Sequence, residues 1–169
     1  MKSGRLRPSQ DHESKINSIL EDLDLPDPFD MEELVTRVSR RRGRPIHLHA
    51  FAGISGEELP CGSWIAMENT DHIYVEDATS PLHRDHIVLH EISHMLLEHT
   101  PQQTLGRTFH HLDAELVTGV LGRTSYDTEE ERSAETLAGL IATRAALRGT
   151  SDQTAPSTLR RLNAVLSDS

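Results

Sequence analysis

The chain has 169 residues, a formal net charge of −10 at pH 7 and one cysteine. Its length is typical of a single domain with its own hydrophobic core. The acidic balance argues against direct nucleic-acid binding, because phosphate contacts need surplus Lys and Arg. One cysteine excludes an internal disulfide, and no run of about 18 apolar residues predicts a membrane span. No apolar segment follows the basic N-terminal residues either, so we expect a soluble, cytoplasmic protein.

The first half of the chain predicts two helices followed by a small sheet. Apolar residues at helical spacing from Ile16 to Leu23 end before Pro26, and Asp30 begins a second helix with Glu33 at the capping-box position. The basic residues from Arg37 to Arg44 fall at the predicted helix end, where cations offset the macrodipole. Alternating apolar residues then predict strands over 45–51, 63–68 and 72–76, the last two forming a hairpin.

Helices dominate the second half. Ser80 and Pro81 begin a long, buried helix that we expect to reach about His99, since Pro101 prevents further extension. Two more helices are predicted, over 112–121 and 129–148.

Together these elements predict an α+β fold, in which a small antiparallel sheet packs on a helical core that buries the long helix. We expect a flexible N-terminus, one domain and a loosely structured C-terminal tail, over residues 1–10, 11–149 and 150–169 respectively.

The long helix contains two histidines four residues apart, His90 and His94, with Glu91 beside the first. At 100° per residue, both imidazoles lie on one face about one turn apart and can reach one metal ion. The alternative is that this spacing of histidines arose by chance, since the chain contains eleven histidines. The apolar side of the helix favours the metal site, because it turns the histidines toward a cleft; it comprises Val88, Leu89, Ile92, Met95 and Leu96.

A catalytic zinc site needs a third protein ligand and leaves a fourth position for water. His99 is displaced about 140° from His94 around the helix, and Glu98 lies about 12 Å along the axis from His90. Neither can share one ion with both histidines, so the third ligand must come from another element.

The helix that begins near Glu129 is the best source of this ligand. It carries a stripe of small apolar residues suited to close packing, and Glu131 borders the stripe. A carboxylate directed into a core is costly unless it is paired or bound to metal. However, Asp127 with Glu130 and Thr128 with Glu131 both fit the capping-box spacing, so spacing alone leaves the ligand and capping roles open.

These two helices resemble the ImmA/IrrE family of bacterial metallopeptidases. That family pairs a His-Glu-x-x-His helix with a later helix carrying Glu-x-x-Ala, then usually Asp or Asn, then x-Phe-Ala. Both parts are present here, from His90 to Leu97 and from Glu131 to Ala138. Glu135 stands where Asp or Asn is usual, and Leu137 where Phe is usual. The resemblance implies zinc bound by His90, His94 and Glu131, with Glu91 activating the water.

The resemblance also implies that the domain of residues 11–149 is a zinc-dependent metallo-endopeptidase that acts on a protein substrate. Family members often cut or regulate helix-turn-helix repressors. This chain has no evident helix-turn-helix segment, so such a repressor would be a separate protein. Glu91 would accept a proton from water and return it to the leaving amine. Conceivable donors to the oxyanion are Tyr126, His110 and His111.

Two other functions compete with this one. Peptide deformylases combine the same two histidines with an upstream cysteine, but the sequence around Cys61 lacks the deformylase motif, and a lone cysteine is usually a small buried hydrophobe. The second alternative is a non-catalytic regulatory module that zinc stabilises and that sequesters a protein partner. Glu91 argues against it, because a structural site needs no general base and prefers four protein ligands.

Overall fold

The structure is a computed structural model that describes residues 8–51, 62–101, 103–105 and 127–149. Within these residues the helices are α1 (Pro8–Asp22), α2 (Met31–Arg42), α3 (Pro81–Leu96) and α4 (Thr128–Gly149), and the strands are β1 (Ile46–Phe51), β2 (Gly62–Met67), β3 (Asp71–Glu76) and β4 (Gln103–Leu105). The predicted α+β class is confirmed. Helix α1 begins within the segment predicted to be flexible, and the predicted helix over 112–121 and tail over 150–169 lie outside the described residues.

Helix α2 begins and ends where the sequence predicts. The Asp30 side chain accepts a hydrogen bond of 2.8 Å from the Glu33 backbone N–H, which satisfies one of the free donors of the first turn. Gly43 follows the last turn with φ of 64°, a left-handed conformation that only glycine adopts at little cost, and its N–H donates to the Arg40 carbonyl.

Helix α3 begins at Pro81 as predicted, with the Ser80 hydroxyl accepting from the His83 backbone N–H at 3.3 Å. It ends at Leu96, about three residues earlier than expected. Glu98 has a φ of 62°, and Lys15 of α1 donates to the Leu97 carbonyl at 2.6 Å. This contact from a distant helix satisfies a carbonyl at the end of α3. The hydrophobic spacing along α3 does not predict such a contact.

The four strands form one sheet in the order β1-β3-β2-β4. Strands β2 and β3 form the predicted antiparallel hairpin, but β1 pairs with β3 in parallel and β4 pairs with β2 in parallel. The predicted purely antiparallel sheet is therefore wrong, because the sheet is mixed. The chain reverses at β2 and again at β3, so β3 runs in the direction of β1. Turn residues predict a hairpin, but they do not determine which of its two strands pairs with β1.

The hydrophobic core contains buried residues of all four helices and of the sheet. All five apolar residues predicted for the buried side of α3 are at most 8% exposed. The small-residue stripe of α4 is equally buried, and it comprises Ala134, Leu137, Ala138, Ile141 and Ala145. Short side chains on this stripe let α4 pack closely on its neighbours. Among the described helices, none combines the length and apolarity needed to cross a bilayer.

Strand β2 passes very close to α3 at Gly62. A Cβ atom at this position would lie 2.1 Å from Cγ2 of Ile87, far inside any permitted contact. Glycine thus permits the approach of the sheet to the helix that carries the two histidines.

A buried carboxylate joins α2, the sheet and α3. Asp71 is fully buried and accepts hydrogen bonds from Arg42 Nη2 at 3.0 Å, Arg44 Nε at 3.3 Å and Trp64 Nε1 at 3.1 Å. The guanidinium of Arg42 also lies over the Trp64 ring and donates to the Met95 carbonyl of α3. Two of the basic residues at the end of α2 therefore have a structural role beyond offsetting the helix macrodipole.

Candidate metal centre

The two histidines of α3 face each other as their spacing predicts. Nε2 of His90 lies 3.1 Å from Nε2 of His94, and the ring centroids are 4.7 Å apart. His94 is fully buried, whereas the His90 side chain is 19% exposed. Both Nε2 atoms are thus available to one ion at the surface of the core.

Glu131, in the first turn of α4, completes a group of three. Its carboxylate oxygens lie 3.3 Å from His90 Nε2 and 3.6 Å from His94 Nε2. Ligand atoms at 2.0–2.1 Å from a tetrahedral ion are about 3.3 Å from one another. Among the described residues, His90, His94 and Glu131 are the group of three whose ligand atoms lie within 4.8 Å of one another. Their spacing is already close to that of a metal site.

The start of α4 also helps to decide whether Glu130 or Glu131 is the third ligand. Asp127 Oδ1 accepts hydrogen bonds from the backbone N–H groups of Glu129 and Glu130, at 2.8 and 2.9 Å. Asp127 therefore caps the helix with its own side chain. This leaves the Glu131 carboxylate directed at the histidines of α3, which is the geometry of a ligand.

Glu91 lies on the same helix with its carboxyl group buried in the protein. The side chain is 3% exposed, and Oε2 has no hydrogen-bond partner in the described structure. Burial raises the pKa of Glu91 to about 8, and the negative charge of Glu131 adds to this, while a hydrogen bond with the Trp64 backbone lowers it. A buried, unpartnered carboxylate oxygen is costly unless a proton, water or a cation compensates it. The fit to a metal ion rests on the two imidazole nitrogens and the Glu131 carboxylate, which lie 3.1–3.6 Å from one another.

The second ring nitrogen of each histidine has its own partner. His94 Nδ1 lies 2.9 Å from Nδ1 of His99, and His90 Nδ1 lies 3.3 Å from Glu135 Oε2. The Glu135 carboxylate favours the His90 tautomer that has the proton on Nδ1 and the metal-binding lone pair on Nε2, and His99 can serve His94 in the same way. Burial, followed by the neighbouring histidines, lowers the pKa of His94 to about 3, which keeps this ring neutral.

The sequence excluded His99 as a ligand, and it does not belong to the group of three. Its contact with His94 was not foreseen, because the prediction continued α3 as far as His99. The left-handed conformation of Glu98 turns the chain back, and the His99 N–H donates to the His94 carbonyl at 3.0 Å. The possible oxyanion donors Tyr126, His110 and His111, and the thiol of Cys61, lie outside the described residues.

The chain has no significant match among protein-family models, curated proteins or solved structures.

Proposed function

We propose that the protein is a zinc-dependent metallo-endopeptidase that hydrolyses a peptide bond of a protein substrate. The observation that supports this most is the group formed by His90, His94 and Glu131, with the buried Glu91 carboxyl on the same helix as the two histidines. Two imidazoles and one carboxylate form a ligand set of catalytic zinc, in which the fourth position is left for water or substrate.

Zinc bound there supplies a Lewis acid that polarises the substrate carbonyl and makes water a better nucleophile near neutral pH. Other divalent metals also accept two histidines and a carboxylate, and zinc is preferred because the distances between the ligand atoms suit tetrahedral coordination.

The protein residues have separate roles in this proposal. Glu91 accepts a proton from the attacking water and donates it to the leaving nitrogen. His99 and Glu135 hold the rings of His94 and His90 with Nε2 directed at the site. The hydrogen bond involving the Trp64 backbone orients the Glu91 carboxyl.

The resemblance to the ImmA/IrrE family supports a protein substrate in the cytoplasm, with a separate helix-turn-helix repressor as one candidate. Neither direct nucleic-acid binding nor membrane association is part of this proposal. The net charge of −10 favours a substrate whose cleavage segment is neutral or basic.

One observation favours the second function, a regulatory module that zinc stabilises. The group of three joins α3 to α4, so an ion there would also crosslink two core helices. The buried Glu91 carboxyl has no evident role in such a module, because it is absent from the ligand group.

The metal site is tested by the zinc content of purified protein after dialysis, with Glu131→Ala compared with wild type. Glu130→Ala is the matched control, since it removes the neighbouring carboxylate of the same turn. Glu131→Ala should contain one zinc fewer per chain than wild type, and Glu130→Ala should contain the wild-type amount. Equal zinc contents in all three proteins would refute the three-ligand site.

Catalysis is tested by incubating wild type and Glu91→Gln with a peptide library prepared from a bacterial proteome and identifying new termini by mass spectrometry. New termini produced by wild type alone, with zinc present in both proteins, would support the peptidase. Zinc in both proteins with no new termini would favour the regulatory module.

A further inference from the structure

Three histidines lie together on the face of the sheet opposite α3. His47 and His49 are two residues apart in β1 and point to the same side, and His72 is the register partner of His47 in β3. Ile73, which alternates with His72 along β3, belongs to the hydrophobic core together with residues of α3. The histidine cluster and the candidate metal centre are therefore on different sides of the sheet.

The spacing of these rings is close to that of a three-imidazole metal site. The ring centroid of His72 lies 5.2 Å from that of His47 and 5.1 Å from that of His49, and the His47 and His49 centroids are 6.5 Å apart. Three imidazoles bound through nitrogen to one tetrahedral ion have ring centres about 5 Å apart. Two of the three separations match this value, and the His47–His49 separation exceeds it by about 1.5 Å.

The hydrogen bonds of the cluster are compatible with a tautomer that suits metal binding. Thr70 Oγ1 lies 2.9 Å from Nε2 of His72, and the hydroxyl can accept from Nε2 when Nδ1 carries the lone pair. That Nδ1 lies 2.8 Å from Nε2 of His49. One ion can bind both nitrogens once the two rings separate and turn so that both lone pairs are directed at it.

We propose that His47, His49 and His72 form a second binding site for a divalent transition metal such as Zn²⁺, separate from the candidate peptidase centre. His47 is exposed, whereas His49 and His72 are half-buried, so solvent reaches the cluster at His47 and the His47 ring has room to rotate. This rotation is required, because in the described structure only the His90 group brings three ligand atoms within 4.8 Å. Metal binding brings the His47 ring toward the other two and leaves water in the remaining position.

The test separates the two sites by zinc titration calorimetry and by zinc content after equilibrium dialysis. The combination His90→Ala with Glu131→Ala removes two ligands of the first site, and this protein should still bind one zinc per chain. Adding His47→Gln and His49→Gln should abolish that binding, whereas adding His83→Gln, which replaces an exposed histidine of α3, should not change it. Circular dichroism and thermal unfolding check that each variant is folded.

Thr70→Val provides a milder variant, because it removes the hydroxyl that contacts His72 and keeps the ligands and the side-chain shape. It should weaken zinc binding at the second site by about tenfold. The proposal is overturned if the protein with the disabled first site binds no zinc, or if its zinc affinity is unchanged after His47→Gln and His49→Gln. Because the first site is absent from this comparison, the result is independent of whether the protein is a peptidase.

Discussion

Nδ1 of His94 lies 2.9 Å from Nδ1 of His99, a residue five positions later that follows the end of α3. With a metal on Nε2 of His94, its Nδ1 would carry the proton and donate a hydrogen bond to Nδ1 of His99. The short reversal of the chain at Glu98 thus places a hydrogen-bond acceptor behind a ligand of the proposed zinc site.

We expect His99→Ala to weaken zinc binding at the candidate metal centre by about 10- to 100-fold, because the His94 ring loses the partner that fixes its tautomer. Competition with a chelator of known affinity measures this change. His99→Gln should recover part of the affinity, since its amide oxygen can accept the same hydrogen bond. Equal affinity in His99→Ala and wild type would show that His99 does not position the ligand.

Glu91→Gln should lower the rate of peptide hydrolysis by about 10² to 10⁴-fold while zinc remains bound, because the amide cannot accept the proton of the attacking water. The measurement is kcat and zinc content on a substrate identified from the peptide library. Glu130→Gln is a suitable control, since it neutralises a carboxylate outside the ligand group. Full activity in Glu91→Gln would remove Glu91 from the proposed mechanism.

Asp71→Asn should destabilise the fold by about 3–5 kcal/mol, because two arginines would lose the buried charge that compensates them. Urea unfolding of the metal-free protein measures the change. Asp77→Asn is the matched control, since Asp77 forms an exposed ion pair with Arg84 that is expected to contribute at most about 1 kcal/mol. Similar losses in the two variants would contradict a structural role for the buried cluster.

Gly62→Ala should destabilise the protein by about 1–3 kcal/mol, because the new methyl group overlaps Cγ2 of Ile87 and forces β2 away from α3. Combining it with Ile87→Ala should cost less than the sum of the two single changes. Gly139→Ala serves as the comparison, since a Cβ at this helical position meets no atom within 4 Å. We expect Gly139→Ala to stabilise the protein by about 0.5–1 kcal/mol. Additive effects of Gly62→Ala and Ile87→Ala would refute the predicted overlap.

The metal-free protein should lose stability as the pH falls from about 6.5 to about 4, partly through His72. Its pKa is near 4 in the folded state and near 6.5 when unfolded, so the unfolded state binds the extra proton in this range. One such group changes the free energy of unfolding by at most about 1.4 kcal/mol per pH unit. Denaturant unfolding at pH 7 and pH 5 with a chelator measures it. His72→Gln should reduce the loss, His83→Gln should not, and equal losses in all three proteins would refute the assignment.

The sequence by itself determined the features that depend on neighbours along the chain. The capping of α2 by Asp30, the start of α3 at Pro81 and the buried sides of α3 and α4 all follow from local hydrogen bonds and helical periodicity. The approach of His90 to His94 also follows from their spacing, because residues four apart lie on one face of a helix.

Contacts between distant segments were decided only by the tertiary structure. The position of β1 beside β3 and the direction of Glu131 toward α3 both depend on how separate elements pack. The histidine cluster of β1 and β3 arises in the same way, because alternation places His47 and His49 on one face of β1 and only strand pairing adds His72. Local patterns specify which face of an element is buried, whereas its partner is chosen by packing over the whole chain.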